Sequence, residues 1–264
     1  MIYHEVRGTG DVLLLIPGGN GDAGPYGPLA RLLSDRFTVV SYDRRGFSRS
    51  PIDDVPTDRM TADIDDAIAL IDATGGGAPA HIFGSSSGAI VALELLSRHP
   101  ERVATLVAHE PPLMTLLPDR DHWLAITDRV YATFHRDGPA AAMVEFGAGL
   151  GAGVEGAAPD PATLPPEALE MFERMVRNQG FWLEYEVRQY PRLVPDMTAL
   201  AASRSKLVLA GGDESHDSMP YKPNLVLAEQ LGLSVVDFPG NHIGYVTRPS
   251  EFAPQLGAIL DTAR

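Results

Sequence analysis

The segment from residue 81 to residue 91 constrains the fold of this chain more than any other. A short apolar run at 81–83 leads into Gly84-Ser85-Ser86-Ser87-Gly88, and an apolar helical stretch follows directly. Glycine lacks the Cβ atom that would clash where a strand meets a helix at a sharp corner. A serine at the apex of such a corner has a strained backbone and an exposed hydroxyl. The segment therefore predicts a nucleophile at Ser86, with an inert turn as the alternative.

Strand and helix patterns alternate on both sides of this unit. Continuous apolar runs typical of strands buried on both faces lie at 11–16, 37–42, 103–108, 206–210 and 233–238. Helical periodicity occupies the intervals between them, as at 57–73. This alternation predicts an α/β fold, in which a mostly parallel central sheet carries helices on both faces. The alternating segment at 2–7 is expected to form a hairpin with the strand at 11–16.

The alternation stops between residues 111 and 195. This stretch has no convincing strand pattern, and helical patterns lie at 119–136, 139–148, 166–179 and 181–190. Residues 147–161 are rich in Gly, Ala and Pro and are expected to form a mobile connector. We predict a core formed by 1–110 and 196–264, with 111–195 inserted as a helical cap. The cap would wall a substrate pocket, for which the candidate residues are Trp182, Tyr185, Met143 and Phe146.

A serine hydroxyl needs a base to become a nucleophile, and histidine is the side chain whose ordinary pKa suits that task. Of the eight histidines, His242 alone follows the last predicted strand in a loop bounded by Gly and Pro. A third group must orient the imidazole and stabilise its cation. Glu110 follows the strand after the serine, and Glu214, or less favourably Asp213, follows the strand before the histidine. Both arrangements keep the order Ser, acid, His, so the residues alone leave both open.

The loop after the strand at 11–16 reads Pro17-Gly18-Gly19-Asn20-Gly21. Its free backbone amides are suited to hold a developing negative charge. We expect an oxyanion hole formed by the amide of Ser87 and one from Gly19 or Asn20. A phosphate site is disfavoured because no Gly-Lys-Ser/Thr follows and the glycines lack the Gly-x-Gly-x-x-Gly spacing. The charged stretch 43–50 is expected to be a structural turn whose arginines connect loops.

Composition excludes several classes of function. A net charge of −14 argues against nucleic acid or anionic membranes as partners, because both need a basic surface. The absence of cysteine excludes disulfides and thiol catalysis. No His-Glu-x-x-His pattern follows His109, so no metal and no organic cofactor is expected. Without a leader or an apolar run long enough to span a bilayer, the chain is expected to be soluble and cytoplasmic, with an apolar cap face as a possible homodimer contact.

Three motifs together resemble the α/β-hydrolase superfamily: the serine motif at 84–88, Tyr42-Asp43-Arg44-Arg45-Gly46-Phe47-Ser48-Arg49-Ser50, and Pro239-Gly240-Asn241-His242. The resemblance covers roughly 1–110 and 196–264 and implies an α/β-hydrolase fold. Within it, 85–89, His109-Glu110-x-Pro112 and Tyr190-Pro191-Arg192 resemble the fungal zearalenone lactone hydrolases. In that family the triad acid is the glutamate of the His-Glu-x-Pro segment, which implies Glu110 here. The cap resembles theirs less well.

These inferences predict a serine hydrolase that cleaves a small carboxylic ester or lactone through an acyl-enzyme. Ser86 would attack, His242 would transfer the proton, and Glu110 would orient the imidazole, with Glu214 as the alternative acid. A serine at the apex argues against dehalogenase and epoxide hydrolase chemistry, which use aspartate there. A C–C bond hydrolase or a perhydrolase on the same scaffold is one alternative. A ligand-binding protein without catalysis is the other.

Overall fold

The computed structural model describes residues 1–150 and 160–262, and a seven-stranded sheet forms its centre. The strands are β1 His4–Arg7, β2 Asp11–Ile16, β3 Phe37–Tyr42, β4 Ala80–Ser85, β5 Val103–His109, β6 Leu207–Gly212 and β7 Val235–Phe238. Their order in the sheet is β1-β3-β2-β4-β5-β6-β7. β1 runs antiparallel to β3, and the other pairs are parallel. The mostly parallel sheet predicted from the alternation is confirmed.

The predicted hairpin between the first two strands is wrong. β2 already pairs in parallel with β3 on one side and with β4 on the other, so neither of its edges is free. β1 therefore takes the remaining edge of β3, where His4 lies opposite Tyr42. The turn between β1 and β2 crosses close to the chain after the first helix. A Cβ at Gly8, whose φ is +78°, would lie 2.0 Å from the Ser34 carbonyl oxygen.

Helices outside residues 111–195 cover both faces of this sheet, and further helices lie within that segment. Together they are α1 Gly27–Leu33, α2 Arg59–Gly75, α3 Ser87–Arg98, α4 Arg120–Asp137, α5 Pro139–Leu150, α6 Pro166–Tyr185, α7 Met197–Ala202, α8 Lys222–Leu231, α9 Gly244–Thr247 and α10 Pro249–Thr262. Alternate residues of β2 point to opposite faces. Leu14 packs in a core with α2, α3 and α8, whereas Leu13 packs with α1 and α10. None of the helices within 1–150 and 160–262 has the length and apolar character to cross a membrane.

Residues 111–195, hereafter the helical segment, form no strand in the part that the structure describes. α4, α5 and α6 share an apolar cluster of their own with Met114 and Met219. The patterns at 166–179 and 181–190 predicted two helices separated at Gly180, but α6 runs without a break through Gly180 to Tyr185. One glycine in a helix costs about 1 kcal/mol, which the burial of Leu183 offsets. Most of the connector predicted at 147–161 lies outside the described residues.

A buried ion cluster joins the end of the helical segment to the core. Arg44, which follows β3 and is fully buried, donates two hydrogen bonds of 3.0 Å to Glu186 and one of 2.7 Å to Asp63. Arg59 of α2 donates to the same Glu186 carboxylate at 2.7 Å. Two guanidinium groups thus balance two carboxylates, which is the condition under which buried charges are tolerated. We call Arg44, Arg59, Asp63 and Glu186 the ion cluster.

Candidate active site

The turn between β4 and α3 leaves no room for side chains at its two glycines. A Cβ at Gly84 would lie 2.6 Å from the Gly88 carbonyl oxygen, and a Cβ at Gly88 would lie 2.2 Å from that of Ile16. Between them Ser86 adopts φ 56° and ψ −127°, a conformation that L residues rarely take. Its N–H donates to the His109 carbonyl at 2.9 Å, which anchors the turn to β5. The sequence thus fixes a strained serine at the carboxyl edge of the sheet.

Glu110 and His242 form a close pair at the same edge. The Glu110 Oε2 atom lies 2.5 Å from His242 Nδ1, and Glu110 Oε1 accepts the Gly212 N–H at 2.8 Å. The Glu110 side chain is fully buried, whereas His242 keeps 33% of its side chain exposed. Burial acts to raise the pKa of Glu110, but the hydrogen bond and charge of His242 outweigh it and lower the pKa to about 2. The carboxylate is therefore ionised at neutral pH, and among the residues that the structure describes none forms a hydrogen bond with His242 Nε2.

Residues 17–22, hereafter the glycine loop, pass directly in front of Ser86. A Cβ at Gly18 would lie 2.9 Å from the Ser86 Cβ. Within the described residues, the amides of Gly19, Asn20 and Ser87 donate no hydrogen bond. Unpaired amides beside a serine hydroxyl are suited to stabilise negative charge that develops on an oxygen.

A cavity of about 380 Å³ opens onto these groups. Ser86 and His242 both line it, and within the described residues the Ser86 hydroxyl makes no hydrogen bond. The hydrogen bond between a catalytic serine and its base is often long until substrate binds. The walls are mainly apolar, and the lining side chains supplied by or next to the helical segment include Met114, Met143, Phe146, Met175, Trp182, Val187 and Met219. The site thus combines a serine, a paired imidazole and unpaired amides around one apolar cavity.

Comparison with known proteins shows the family to which the chain belongs. A family model described as the alpha/beta hydrolase fold matches residues 11–144. The chain belongs to the α/β-hydrolase fold family. It is 34% identical to an uncharacterised hydrolase, YraK, of Bacillus subtilis over 98% of this chain and 92% of that protein. It is 30% identical to a zearalenone hydrolase of Cladophialophora bantiana over 99% of this chain and 92% of that protein.

Solved α/β-hydrolase structures resemble the whole chain. A thermophilic esterase from Thermogutta terrifontis aligns with a TM-score of 0.76 and 20% identity, covering 99% of this chain and 93% of the other. An α/β hydrolase from Sphaerobacter thermophilus aligns with a TM-score of 0.68 and 24% identity, covering 97% and 95%. At these identities the likeness concerns the fold. The protein is thus a hydrolase of the α/β fold, a class that acts on small molecules.

The two acids that the sequence left open differ in their surroundings. Glu214 keeps 44% of its side chain exposed and pairs with Arg248 at 2.5 Å. Asp213 accepts the Gly240 N–H at 2.9 Å. Within the described residues neither carboxylate bonds to the imidazole of His242, whereas Glu110 does. The geometry of this α/β hydrolase therefore favours Glu110 as the partner of His242.

The candidate pocket residues separate into two groups. Trp182, Met143 and Phe146 line the cavity, and the Phe146 and Trp182 rings meet edge to face with centroids 4.9 Å apart. Tyr185 is not among the lining residues, because its ring packs on Phe181 at 4.8 Å. Sequence reasoning missed Tyr245 in the lining. Its only signal was its position three residues after His242, at the start of α9.

His109 directly precedes Glu110 at the end of β5, and sequence reasoning assigned it no role beyond excluding a metal site. Its ring is fully buried and lies 6.3 Å from that of His242, centroid to centroid. Neither ring nitrogen has a hydrogen-bond partner in the described chain. Burial lowers the pKa of His109 to about 4, so the ring is neutral. Possible ligand atoms of His109, Glu110 and His242 lie within 4.8 Å of one another, but Glu110 and His242 already bind each other.

The low pKa of Glu110 predicts how stability depends on pH. The unfolded carboxyl titrates near 4.5 and the folded one near 2, so the folded state binds fewer protons between these values. The resulting stability, on the order of 3 kcal/mol, is present above the unfolded pKa and is lost as pH falls through the folded pKa. Urea unfolding between pH 2 and 7 should show that the difference in the free energy of unfolding between wild type and Glu110→Gln becomes smaller as pH falls. A difference that does not depend on pH would contradict this account.

Proposed function

We propose that this hydrolase cleaves a carboxylic ester or lactone through an acyl-enzyme, with Ser86 as nucleophile, His242 as base and Glu110 as the third member of the triad. The observation that carries the proposal is the 2.5 Å pair of Glu110 and His242 on the same cavity as a strained, accessible Ser86. A relative of 30% identity that is named a zearalenone hydrolase supports this class of substrate.

The proposed reaction follows from the position of each group. As the Ser86 Oγ atom attacks the substrate carbonyl, His242 Nε2 takes the hydroxyl proton, and the Glu110 carboxylate stabilises the imidazolium. The amides of Ser87 and of Gly19 or Asn20 stabilise the oxyanion. The C–O bond to the leaving alcohol then breaks, and His242 gives the alcohol its proton. In a lactone this alcohol remains part of the acyl group. His242 then takes a proton from water as the water oxygen attacks the acyl carbon, the bond from that carbon to Ser86 Oγ breaks, and His242 returns the proton to Oγ, which releases the acid.

We further propose that the helical segment acts as a cap over a core formed by 1–110 and 196–264. The support is that α5 and α6 supply Met143, Phe146, Met175 and Trp182 to the cavity wall, while Ser86 and His242 come from the sheet side. A cap of this kind excludes water from the reacting carbonyl, which strengthens the interactions with the oxyanion. Because the cap supplies most of the apolar cavity wall, it also determines which substrate shapes fit the cavity.

The first experiment tests catalysis against mere binding. A fluorophosphonate probe should label the wild-type chain once, and Ser86→Ala should abolish both the label and the hydrolysis of p-nitrophenyl esters. Ser85→Ala is the matched control, because it removes a neighbouring hydroxyl while leaving Ser86 in place. A wild-type chain that binds a neutral ester without cleaving it and takes no label would identify a binding protein instead.

The second experiment tests the triad acid. Glu110→Gln keeps the shape of the side chain but removes the charge that stabilises the imidazolium. It should lower kcat for an ester substrate by about 10³-fold or more, as in other triads that lose their carboxylate. Glu214→Gln removes an exposed carboxylate and should change kcat less than about twofold. The reverse order of these two effects would move the acid to Glu214.

The charge of the cavity wall predicts which substrates fit. Among its described lining residues, the only Asp, Glu, Lys or Arg is Glu186, whose carboxylate is occupied by Arg44 and Arg59. A carboxylate at the far end of the acyl chain, away from the amides beside Ser86, would be buried without a lysine or arginine partner, which is costly. Four methionines, Met114, Met143, Met175 and Met219, adapt the wall to different apolar shapes.

This wall should discriminate by charge rather than by size. The p-nitrophenyl ester of monomethyl succinate should have a kcat/KM at least about 100-fold above that of p-nitrophenyl hemisuccinate. The reason is that burying the free carboxylate of the second ester costs several kcal/mol in binding free energy. The methyl ester has the same succinyl chain without the charge, so it is the control for size. Equal kcat/KM values for the two esters would show that the acyl chain does not enter the cavity.

A further inference from the structure

The backbone of the glycine loop is held by its carbonyl groups. The Gly18 carbonyl accepts the Gly21 N–H at 3.0 Å and Arg44 Nη1 at 3.3 Å. The Asn20 carbonyl accepts Nδ2 of Asn178 at 2.6 Å. Between these two fixed oxygens lie the amides of Gly19 and Asn20, which donate no hydrogen bond within the described chain. The loop is therefore fixed at both ends and leaves its middle amides free.

Fixing these carbonyls sets the direction of the free amides. A peptide group is planar, so the Gly19 N–H points away from the Gly18 carbonyl, which Arg44 contacts. The Gly19–Asn20 peptide is then the one plane between two anchored neighbours. Position 19 has no room for a side chain, because a Cβ there would lie 2.5 Å from Trp182 Nε1 in α6. Glycine can adopt many backbone conformations, so residue 19 does not by itself set the orientation of this peptide. Without its anchors such a peptide would rotate.

The side-chain amide of Asn178 in α6 forms hydrogen bonds through both its nitrogen and its oxygen. It is 4% exposed, and its Nδ2 donates both to the Asn20 carbonyl and, at 2.8 Å, to Ser48 Oγ. Its Oδ1 accepts the Ser48 N–H at 2.9 Å. Because both amide protons and the oxygen are bound, the orientation of the carboxamide is determined by its partners. An amide flip would break all three bonds.

We propose that Asn178 is a positioning residue for the oxyanion hole. By holding the Asn20 carbonyl, it aims the loop amide that, together with the Ser87 amide, stabilises the tetrahedral intermediate. The inference rests on the function proposed above. It makes α6 part of the support for transition-state stabilisation, in addition to its contribution to the cavity wall.

A second bond between α6 and the glycine loop provides the control. Arg174, one turn before Asn178, donates from Nε to Asp22 Oδ2 at 2.8 Å. This bond reaches a side chain and no carbonyl of residues 18–20. Asp22 also accepts the Ser48 hydroxyl at 2.6 Å and the Gly24 N–H at 2.7 Å, so it stays oriented when Arg174 is replaced. Arg174→Met thus weakens the attachment of α6 to the loop without releasing the Asn20 carbonyl.

The test compares Asn178→Asp with Arg174→Met. Aspartate has the shape of asparagine and keeps an acceptor for the Ser48 N–H, but when ionised it donates nothing to the Asn20 carbonyl. Asn178→Asp should lower kcat/KM for a p-nitrophenyl ester about 10- to 100-fold, somewhat less than the loss of a whole oxyanion donor, with KM changed less than about twofold. The inhibition constant of a trifluoromethyl ketone, which forms a tetrahedral oxyanion on serine, should rise by the same factor. Arg174→Met should lower the Tm but leave kcat/KM and the inhibition constant within about twofold.

Asn178→Ser provides a second variant if Asn178→Asp fails to fold, and its kcat/KM and inhibition constant should shift together in the same direction. Wild-type values of both constants overturn the proposal, and so does a lower kcat/KM with an unchanged inhibition constant, which indicates a merely structural role. Equal losses in Arg174→Met overturn it as well. A wild-type chain that neither hydrolyses the ester nor reacts with the fluorophosphonate overturns the proposed function and this inference with it, whereas an active wild type with an unaffected Asn178→Asp overturns this inference alone.

Discussion

The candidate active site depends first on how closely α3 approaches β2. The space that a Cβ at Gly88 would need is occupied by the Ile16 carbonyl oxygen, 2.2 Å away. This approach brings the start of α3 against the start of the glycine loop, so the amide of Ser87 and the amides of Gly19 and Asn20 lie near one serine. The parallel register then adds the other groups, because Ser85 pairs with His109 and His109 pairs with Ala210. The close contact between backbones thus places the nucleophile beside the amides, and the strand register places the acid.

Backbone strain is concentrated at the same place. Within the described residues, three non-glycine residues have positive φ: Ser48, Ser86 and Glu110. Each such residue costs on the order of 1–3 kcal/mol and persists only where its neighbours hold it. The Glu110 N–H donates to the Ala210 carbonyl at 2.9 Å, and its carboxylate binds His242 and Gly212. Ser48 is held by Asn178 and Asp22. The strain therefore lies in groups that the proposed reaction uses or that support them.

The sequence was sufficient where a feature depends on local spacing. The glycines at 84 and 88 predict the turn and the exposed serine because each position excludes a side chain by itself. It was insufficient where the outcome depends on distant partners. Nothing in residues 2–16 indicates that β1 pairs with β3, since that choice depends on which edges of β2 are occupied. Likewise Gly180 carries no local sign that the burial of Leu183 keeps α6 continuous.

The acid illustrates the same limit. Glu110 and Glu214 both follow a strand, and what separates them is the partner of each side chain: Glu110 binds His242, whereas Glu214 pairs with Arg248. The resemblance to zearalenone lactone hydrolases pointed to Glu110, and the 2.5 Å pair with His242 agrees with it. Asn178 left no trace in the sequence pattern. Its partners, Asn20 and Ser48, are 158 and 130 positions away.

The helices of the helical segment are attached by different kinds of contact. α6 and the turn after it are held by buried polar groups, through Asn178 and through Glu186 of the ion cluster. Removing one partner of a buried ion pair costs about 3–5 kcal/mol, because the other charge is left unpaired. Among the described contacts of α5 are the packing of Phe146 on Trp182 and an exposed pair of Arg129 and Glu145 at 3.3 Å. An exposed pair contributes about 1 kcal/mol or less. α5 otherwise packs on α4, and Ala142 is buried in the cluster that it shares with α4 and α6. The polar anchors of the glycine loop thus come from α6, whereas α5 contributes apolar side chains to the cavity wall.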